Sequence, residues 1–96
     1  MDLRAFEASL DERQPPSSLS APLRALWYDA RGNWEQAHEI AQDEGGPTGA
    51  WIHAYLHRKE GDLSNASYWY RRADRSKPET SLEEEWRSIV EELLNE

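Results

Sequence analysis

Two histidines, His53 and His57, are the residues whose type and spacing point most directly to chemistry. Side chains four residues apart share one face of a helix, which is a spacing that two ligands of one metal ion can use. Ala54 follows the first histidine where a zinc-protease helix has glutamate, so that class of enzyme is not indicated. A third ligand would have to come from His38, Asp62 or a glutamate elsewhere in the chain.

A second interpretation places the same two histidines in the hydrophobic core. A buried imidazole needs a hydrogen-bond partner, and Tyr68, Tyr70 or an acidic residue could supply it. We favour this structural role, so we predict neither a metal nor a cofactor. A small-molecule or metal-binding domain centred on His53 and His57 is kept as the alternative function.

Tyr68, Arg71 and Arg72 form a second candidate polar site, because they fall away from the apolar side of their predicted helix. Arginines at such positions can bind anions through charge-assisted hydrogen bonds. The alternative, which we favour, is that these arginines and the following Arg75 pair with neighbouring acids, seven of which lie in residues 79–96.

Charge is spread unevenly along the chain, whose formal net charge is -8. Residues 1–47 hold four arginines against nine acids, residues 48–78 hold six basic residues against three acids, and residues 79–96 hold one arginine against seven acids. Charge blocks are usually solvated or paired, so we expect the acidic ends to neutralise the basic middle within the fold. The acidic excess argues against a nucleic-acid partner.

The length and composition predict one small, soluble domain spanning residues 1–96. The chain has no cysteine, and therefore no disulfide or thiolate chemistry. No apolar run approaches the roughly 18 residues of a membrane span, so we expect a cytoplasmic protein without a membrane partner. The glycines at Gly45 and Gly46 lack the lysine and strand of a phosphate-binding loop, and no catalytic arrangement is recognisable, so we predict that the protein is not an enzyme.

Apolar residues at helical spacing predict an all-α fold of about six helices, since no segment alternates as a strand does. The first helix is predicted over about residues 3–12 and the fourth over about 48–60. Gly32 and Gly61 each mark a turn within a pair of helices. The predicted architecture is therefore two helix-turn-helix hairpins, with one extra helix at each end of the chain.

The two hairpins align on Gly32 and Gly61, which are 29 residues apart in the sequence. The second copy resembles a tetratricopeptide repeat through Ala54, Gly61, Asp62, Ala66, Tyr70, Ala73 and Pro78. Residues 66–73 also resemble the related Sel1-type repeat. The first copy keeps Ala25, Tyr28, Gly32 and Ala37, but has Ala41 and Glu44 where the family has an aromatic residue and an alanine.

The resemblance implies a protein–protein or peptide-interaction module, adaptor-like or self-associating as a homodimer. Tetratricopeptide repeats bind peptides on the surface of their first helices, and the matching positions here are Trp51, Tyr55, Arg58 and Lys59. These side chains would suit an acidic peptide or a carboxyl terminus. The alternative is that a terminal helix covers the two aromatic residues. The two histidines depart from the family, which has apolar or aromatic core residues at their positions.

Overall fold

The computed structural model describes all 96 residues and contains six α-helices and no strand, which confirms the predicted all-α class. The helices are α1 (Leu3–Ser9), α2 (Ala21–Ala30), α3 (Trp34–Glu44), α4 (Gly46–Lys59), α5 (Leu63–Arg72) and α6 (Leu82–Leu94). None of them combines the length and the apolar composition that crossing a membrane requires.

Side-chain caps explain where most of these helices begin. The side chains of Asp2, Asn33 and Asp62 each accept a hydrogen bond from a backbone N–H of the first turn that follows. At α6, Ser81 and Glu84 form a reciprocal capping box. These bonds satisfy amide groups that have no partner within a helix, and so they set the start of each helix.

Two helix boundaries differ from the prediction. Helix α1 ends at Ser9 rather than near residue 12, and the guanidinium of Arg31 donates to the carbonyl oxygens of Leu10 and Glu12 beyond its end. Helix α4 begins at Gly46, two residues earlier than predicted. Its Pro47 is tolerated because amides of the first turn need no partner within the helix.

The helices pack as the hairpin prediction required. Helix α2 packs on α3 and α4 packs on α5, while α3 also contacts α4 and joins the two hairpins. Helix α6 crosses back to contact α1, α2 and α4. The indole N–H of Trp86 on α6 donates to the carbonyl oxygen of Leu26 on α2 at 3.1 Å, which fixes the last helix onto the first hairpin.

The core is one cluster of buried apolar side chains to which every helix contributes. Four alanines at matching positions of the two hairpins, Ala25, Ala37, Ala54 and Ala66, are fully buried, and such small residues allow helices to approach closely. Helix α4 is central, and its residues 49–57 are all buried. Polar side chains on this helix therefore lie inside the protein whichever way they point, and they need partners from the surrounding helices.

Candidate metal centre

Three histidines meet between α3 and α4. His53 and His57 extend from α4 and are buried, and the half-buried His38 reaches them from α3. One ring nitrogen from each histidine lies within 4.8 Å of the others. The sequence named His38 as one of several possible third ligands, and only the packing of α3 on α4 selects it.

Close packing of α3 against the start of α4 brings His38 into reach. A side chain added at Gly49 would place its Cβ 2.9 Å from the carbonyl oxygen of Ala41, so only glycine fits this contact. The rings of His38 and His53 consequently stand edge to face, with their centroids 4.4 Å apart. The rings of His53 and His57 stack along α4 at 4.9 Å.

His38 is held from behind by a tryptophan one turn earlier on α3. The ring of Trp34 stacks on the imidazole of His38, with centroids 4.8 Å apart and an angle of 14° between the planes. The indole N–H of Trp34 donates to the carbonyl oxygen of Leu56 on α4 at 2.9 Å. This bond ties the aromatic support of His38 to the helix that carries the other two histidines.

His53 is held by Trp69 of α5, whose ring stacks on the imidazole at 4.0 Å and is nearly parallel to it. The guanidinium carbon of Arg72 lies 5.4 Å from the centre of the Trp69 ring. The stack fixes the plane of the imidazole without using either ring nitrogen. Both nitrogens of His53 thus stay available to a ligand.

His57 is held by hydrogen bonds rather than by stacking. Its Nδ1 lies 2.7 Å from Oε1 of Glu60, one turn later at the end of α4. Its Nε2 lies 3.4 Å from the side-chain nitrogen Nδ2 of Asn65 on α5. A carboxylate at Nδ1 holds the proton on that nitrogen and leaves the lone pair on Nε2.

Burial and repulsion between neighbouring imidazoles disfavour the charged forms of His53 and His38. Burial, together with repulsion from the neighbouring His38 and His57, lowers the pKa of His53 from the usual 6.5 to about 4. Burial and the proximity of His57 also lower the pKa of His38. Both imidazoles are therefore neutral at pH 7, which is the form that binds a metal ion.

A second group of potential ligands overlaps this one. His57, Glu60 and Asp62 also lie with one ligand atom each within 4.8 Å of the others, but both acids are exposed. Asp62 already caps α5 through a hydrogen bond from the N–H of Asn65, and Glu60 is bound to His57. Because both carboxylates are exposed and already form hydrogen bonds within the protein, the three imidazoles are the better metal site.

The structure does not provide the predicted peptide groove. Trp51 and Tyr55 are buried, 7% and 3% exposed, with α6 packed against α4. The guanidinium of Arg75 covers the ring of Trp51 at 3.4 Å. The physical reason is the one given by the alternative interpretation: two hairpins leave an apolar face, and the terminal helix covers it.

The two basic residues of the predicted groove are paired with buried carboxylates. Arg58 donates to Oε1 of Glu85 at 2.7 Å and to the carbonyl oxygen of Thr80. Lys59 donates to Asp29 at 2.9 Å. These side chains are therefore not free to bind the carboxylate of a peptide.

Asp29 and Glu85 are the important residues that the sequence reasoning missed. Each is 2% exposed, and each also accepts a hydrogen bond from a buried tyrosine: Asp29 from Tyr55 at 3.2 Å, and Glu85 from Tyr70 at 2.6 Å. Burial and these carboxylates raise the pKa of both tyrosines. A signal was present, because Glu85 lies between Leu82 and Ile89 on the apolar stripe of its helix.

The arginines of the second predicted polar site and the following Arg75 differ in whether they form an ion pair. Arg75 pairs with Glu92, as the favoured interpretation of the charge blocks expected. Arg71 and Arg72 form no ion pair, and Arg72 instead donates to the hydroxyl of the exposed Tyr68 at 3.1 Å. Neither Tyr68 nor Tyr70 bonds to a histidine, and of the expected partners an acidic residue, Glu60, serves His57.

Comparisons with models of protein families, with curated proteins and with solved structures find no match. The tetratricopeptide resemblance therefore stays a prediction. The fold and the site define the molecule as a small six-helix protein with three histidines gathered at the junction of its two hairpins.

Proposed function

We propose that this protein binds a divalent transition-metal ion, zinc in the first place, through His38, His53 and His57. The observation that carries the proposal is the convergence of three imidazoles from two helices, with ligand atoms within 4.8 Å of one another. Zinc sites made of three histidines leave a fourth position for water or another ligand.

The distances require a small adjustment of the side chains. Zinc–nitrogen bonds of about 2.0–2.1 Å in tetrahedral geometry place two ligand nitrogens roughly 3.3 Å apart. The three imidazoles would thus close on the ion by rotation about their side-chain bonds. The half-buried His38 has the most freedom to do so, and it gives the ion a route in from solvent.

The surroundings of the imidazoles support a metal site because each ring has its own positioning residue. Trp34 holds His38, Trp69 holds His53, and Glu60 holds His57. A carboxylate behind a metal-binding histidine is a common outer contact that orients the ring and raises its basicity. A core could be filled by an apolar residue at each of these positions. Such a core would not need a positioning residue behind each side chain.

The choice of metal follows from the ligand chemistry. Neutral imidazole suits zinc, copper and nickel, whereas calcium and magnesium prefer oxygen ligands. Affinity will fall as the pH is lowered, because protons compete for the same lone pairs. Zinc is the reference ion for the test, with magnesium as the ion that should not bind.

Isothermal titration of the dialysed protein with zinc chloride tests the proposal, using protein from which any histidine tag has been removed. We expect saturable binding of one ion per chain at micromolar protein. The variants His38→Ala, His53→Ala and His57→Ala should each weaken binding by tenfold or more, as expected when one of three ligands is lost. Circular dichroism should show that each variant remains helical.

Asp62→Asn is the matched control, because it removes a carboxylate from the overlapping group while leaving all three imidazoles. Its zinc affinity should equal that of the unmodified protein. Absence of binding heat at micromolar protein, or a loss of affinity in Asp62→Asn as large as in His38→Ala, would overturn the site proposed here.

The interaction module expected from the repeat resemblance finds no comparable support. It depended on an accessible stripe of Trp51, Tyr55, Arg58 and Lys59, and these side chains are buried or paired with Asp29 and Glu85.

A further inference from the structure

A pocket of about 360 Å³ opens beside the histidines, between the start of α4 and the end of α5. Its volume is at the lower end of the roughly 300–1,000 Å³ of small-molecule sites. Ten residues line it, among them Gly45, Gly46, Gly49, His53, Trp69 and Arg72. Of these, His53 is the one residue shared with the proposed metal site.

The lining carries positive charge and no carboxylate. Its ten residues include Arg72 and no aspartate or glutamate, although the whole chain has 19 acids against 11 basic residues. Arg72 forms no ion pair, and its one hydrogen bond within the protein is to the hydroxyl of Tyr68. The remaining guanidinium N–H groups are therefore free to bind an anion.

The start of α4 adds a second source of positive potential to the same pocket. No side chain caps this helix, in contrast to α1, α3, α5 and α6. Pro47 has no N–H and the N–H of Gly49 donates to Gly45, so the free N–H groups of the first turn are those of Gly46 and Thr48. They lie at the positive end of a 14-residue helix dipole. Such a terminus binds phosphate or carboxylate when another group completes the site.

His53 is that further group, because it is a nearly buried polar side chain without a partner. It is 5% exposed and makes no hydrogen bond to the protein, and yet no fully buried side-chain nitrogen of the chain lacks a partner. Its ring nitrogens consequently reach space that solvent can enter, and His53 lines this pocket. A neutral imidazole there can donate one N–H to a bound oxygen.

From this geometry we infer that the pocket binds the phosphate group of a small molecule, through Arg72, the first-turn amides of α4 and His53. Arg72 lies on α5, while the amides and His53 lie on α4. A tetrahedral oxyanion can present an oxygen to each of them, whereas a planar carboxylate has only two oxygens. The ring of Trp69 forms an apolar wall for the remainder of the ligand.

Phosphate binding can be tested on metal-free, tag-free protein labelled with nitrogen-15, in a buffer without phosphate. Titration with inorganic phosphate should produce saturable shifts of the amide resonances of Gly45, Gly46 and Gly49. Arg72→Gln should weaken binding about tenfold or more, because it removes a charge-assisted hydrogen bond. Both proteins should retain the same helical circular dichroism.

Arg71→Gln is the matched control, since it removes the same charge from the neighbouring position of α5, outside the pocket. It should bind phosphate as the unmodified protein does. Equal weakening in both variants, or shifts that never saturate, would overturn the proposal. Acetate that binds as tightly as phosphate would overturn the assignment to phosphate. Because no metal is present, these results are independent of the zinc titration.

Discussion

Helix α4 carries buried polar residues on two sides, and the two sides are completed in different ways. Towards α2 and α6, Tyr55, Arg58 and Lys59 meet the buried carboxylates of Asp29 and Glu85. Towards α3 and α5, His53 and His57 meet a third histidine, aromatic rings, Glu60 and the side-chain amide of Asn65. We call these the carboxylate side and the histidine side.

The difference shows how two buried polar clusters in one core can serve different purposes. On the carboxylate side each negative charge has a cation and a tyrosine hydroxyl within reach, so the protein satisfies these groups by itself. On the histidine side three imidazoles converge, and none of them forms an ion pair with a cationic side chain. The first arrangement holds helices together, and the second is suited to an ion that comes from outside.

The largest effect is expected from breaking the carboxylate side. Glu85→Gln would leave Arg58, whose side chain is 13% exposed, without its ionic partner. Removal of one partner from a buried ion pair typically destabilises a protein by about 3–5 kcal/mol. Denaturation by urea, followed by circular dichroism, should show a loss of this size in the free energy of unfolding.

Glu92→Gln supplies the comparison, since Glu92 is paired with Arg75 where both side chains are substantially exposed. Exposed pairs contribute about 0–1 kcal/mol, so this variant should unfold almost as the unmodified protein does. If both variants lost the same stability, the carboxylate side would be no more important than the surface. Under conditions in which Glu85→Gln remains folded, it should bind zinc as the unmodified protein does.

An intermediate effect is expected from protonating the histidine side of the metal-free protein. The unfolded chain takes up a proton on His53 near pH 6.5, whereas burial lowers the pKa in the folded state to about 4. The contribution of the neutral His53 to the free energy of unfolding is therefore fully present above pH 6.5 and decreases as the pH falls towards 4. Allowing for solvent at the pocket, the loss is on the order of 2 kcal/mol.

His53→Phe tests this assignment, because phenylalanine can keep the stack on Trp69 and cannot take up a proton. Urea midpoints measured between pH 7 and pH 4 should fall less steeply for the variant than for the unmodified protein. Parallel curves would show that groups other than His53, such as His38 and the acidic residues, cause the decrease. A urea midpoint of the unmodified protein that rises as the pH falls from 7 to 4 would contradict the burial of a neutral imidazole.

The smallest effect sharpens the role of the residues behind the imidazoles. Glu60→Gln keeps a hydrogen-bond acceptor near Nδ1 of His57 but removes its charge. Loss of such an outer contact usually lowers metal affinity about tenfold to a hundredfold, and tenfold corresponds to about 1.4 kcal/mol. Zinc titration should show this weakening with one ion per chain retained.

Glu91→Gln removes the same charge from the exposed face of α6 and should leave the zinc affinity unchanged. Equal weakening in both variants would indicate a general electrostatic effect of the acidic chain. No weakening in Glu60→Gln would show that His57 is oriented without help from the carboxylate.

Much of the fold could be predicted because it depends on local chemistry. Ser81 and Glu84 cap α6 within one turn, and Asp62 caps α5 directly after the predicted turn residue Gly61. The boundaries that failed, at Ser9 and Gly46, depend on contacts with residues distant in sequence or on a first turn that tolerates proline. The hairpin pairing followed from short turns, which leave adjacent helices little choice of neighbour.

The candidate site could be predicted only in part. The spacing of His53 and His57 on one helix is local, so the sequence by itself determined that the two imidazoles share a face. The approach of the third histidine, the burial of Asp29 and Glu85, and the covering of Trp51 by Arg75 depend on contacts between residues distant in sequence. Only the tertiary structure decided them, because the packing of helices, and not the spacing along one helix, determines which side chains meet.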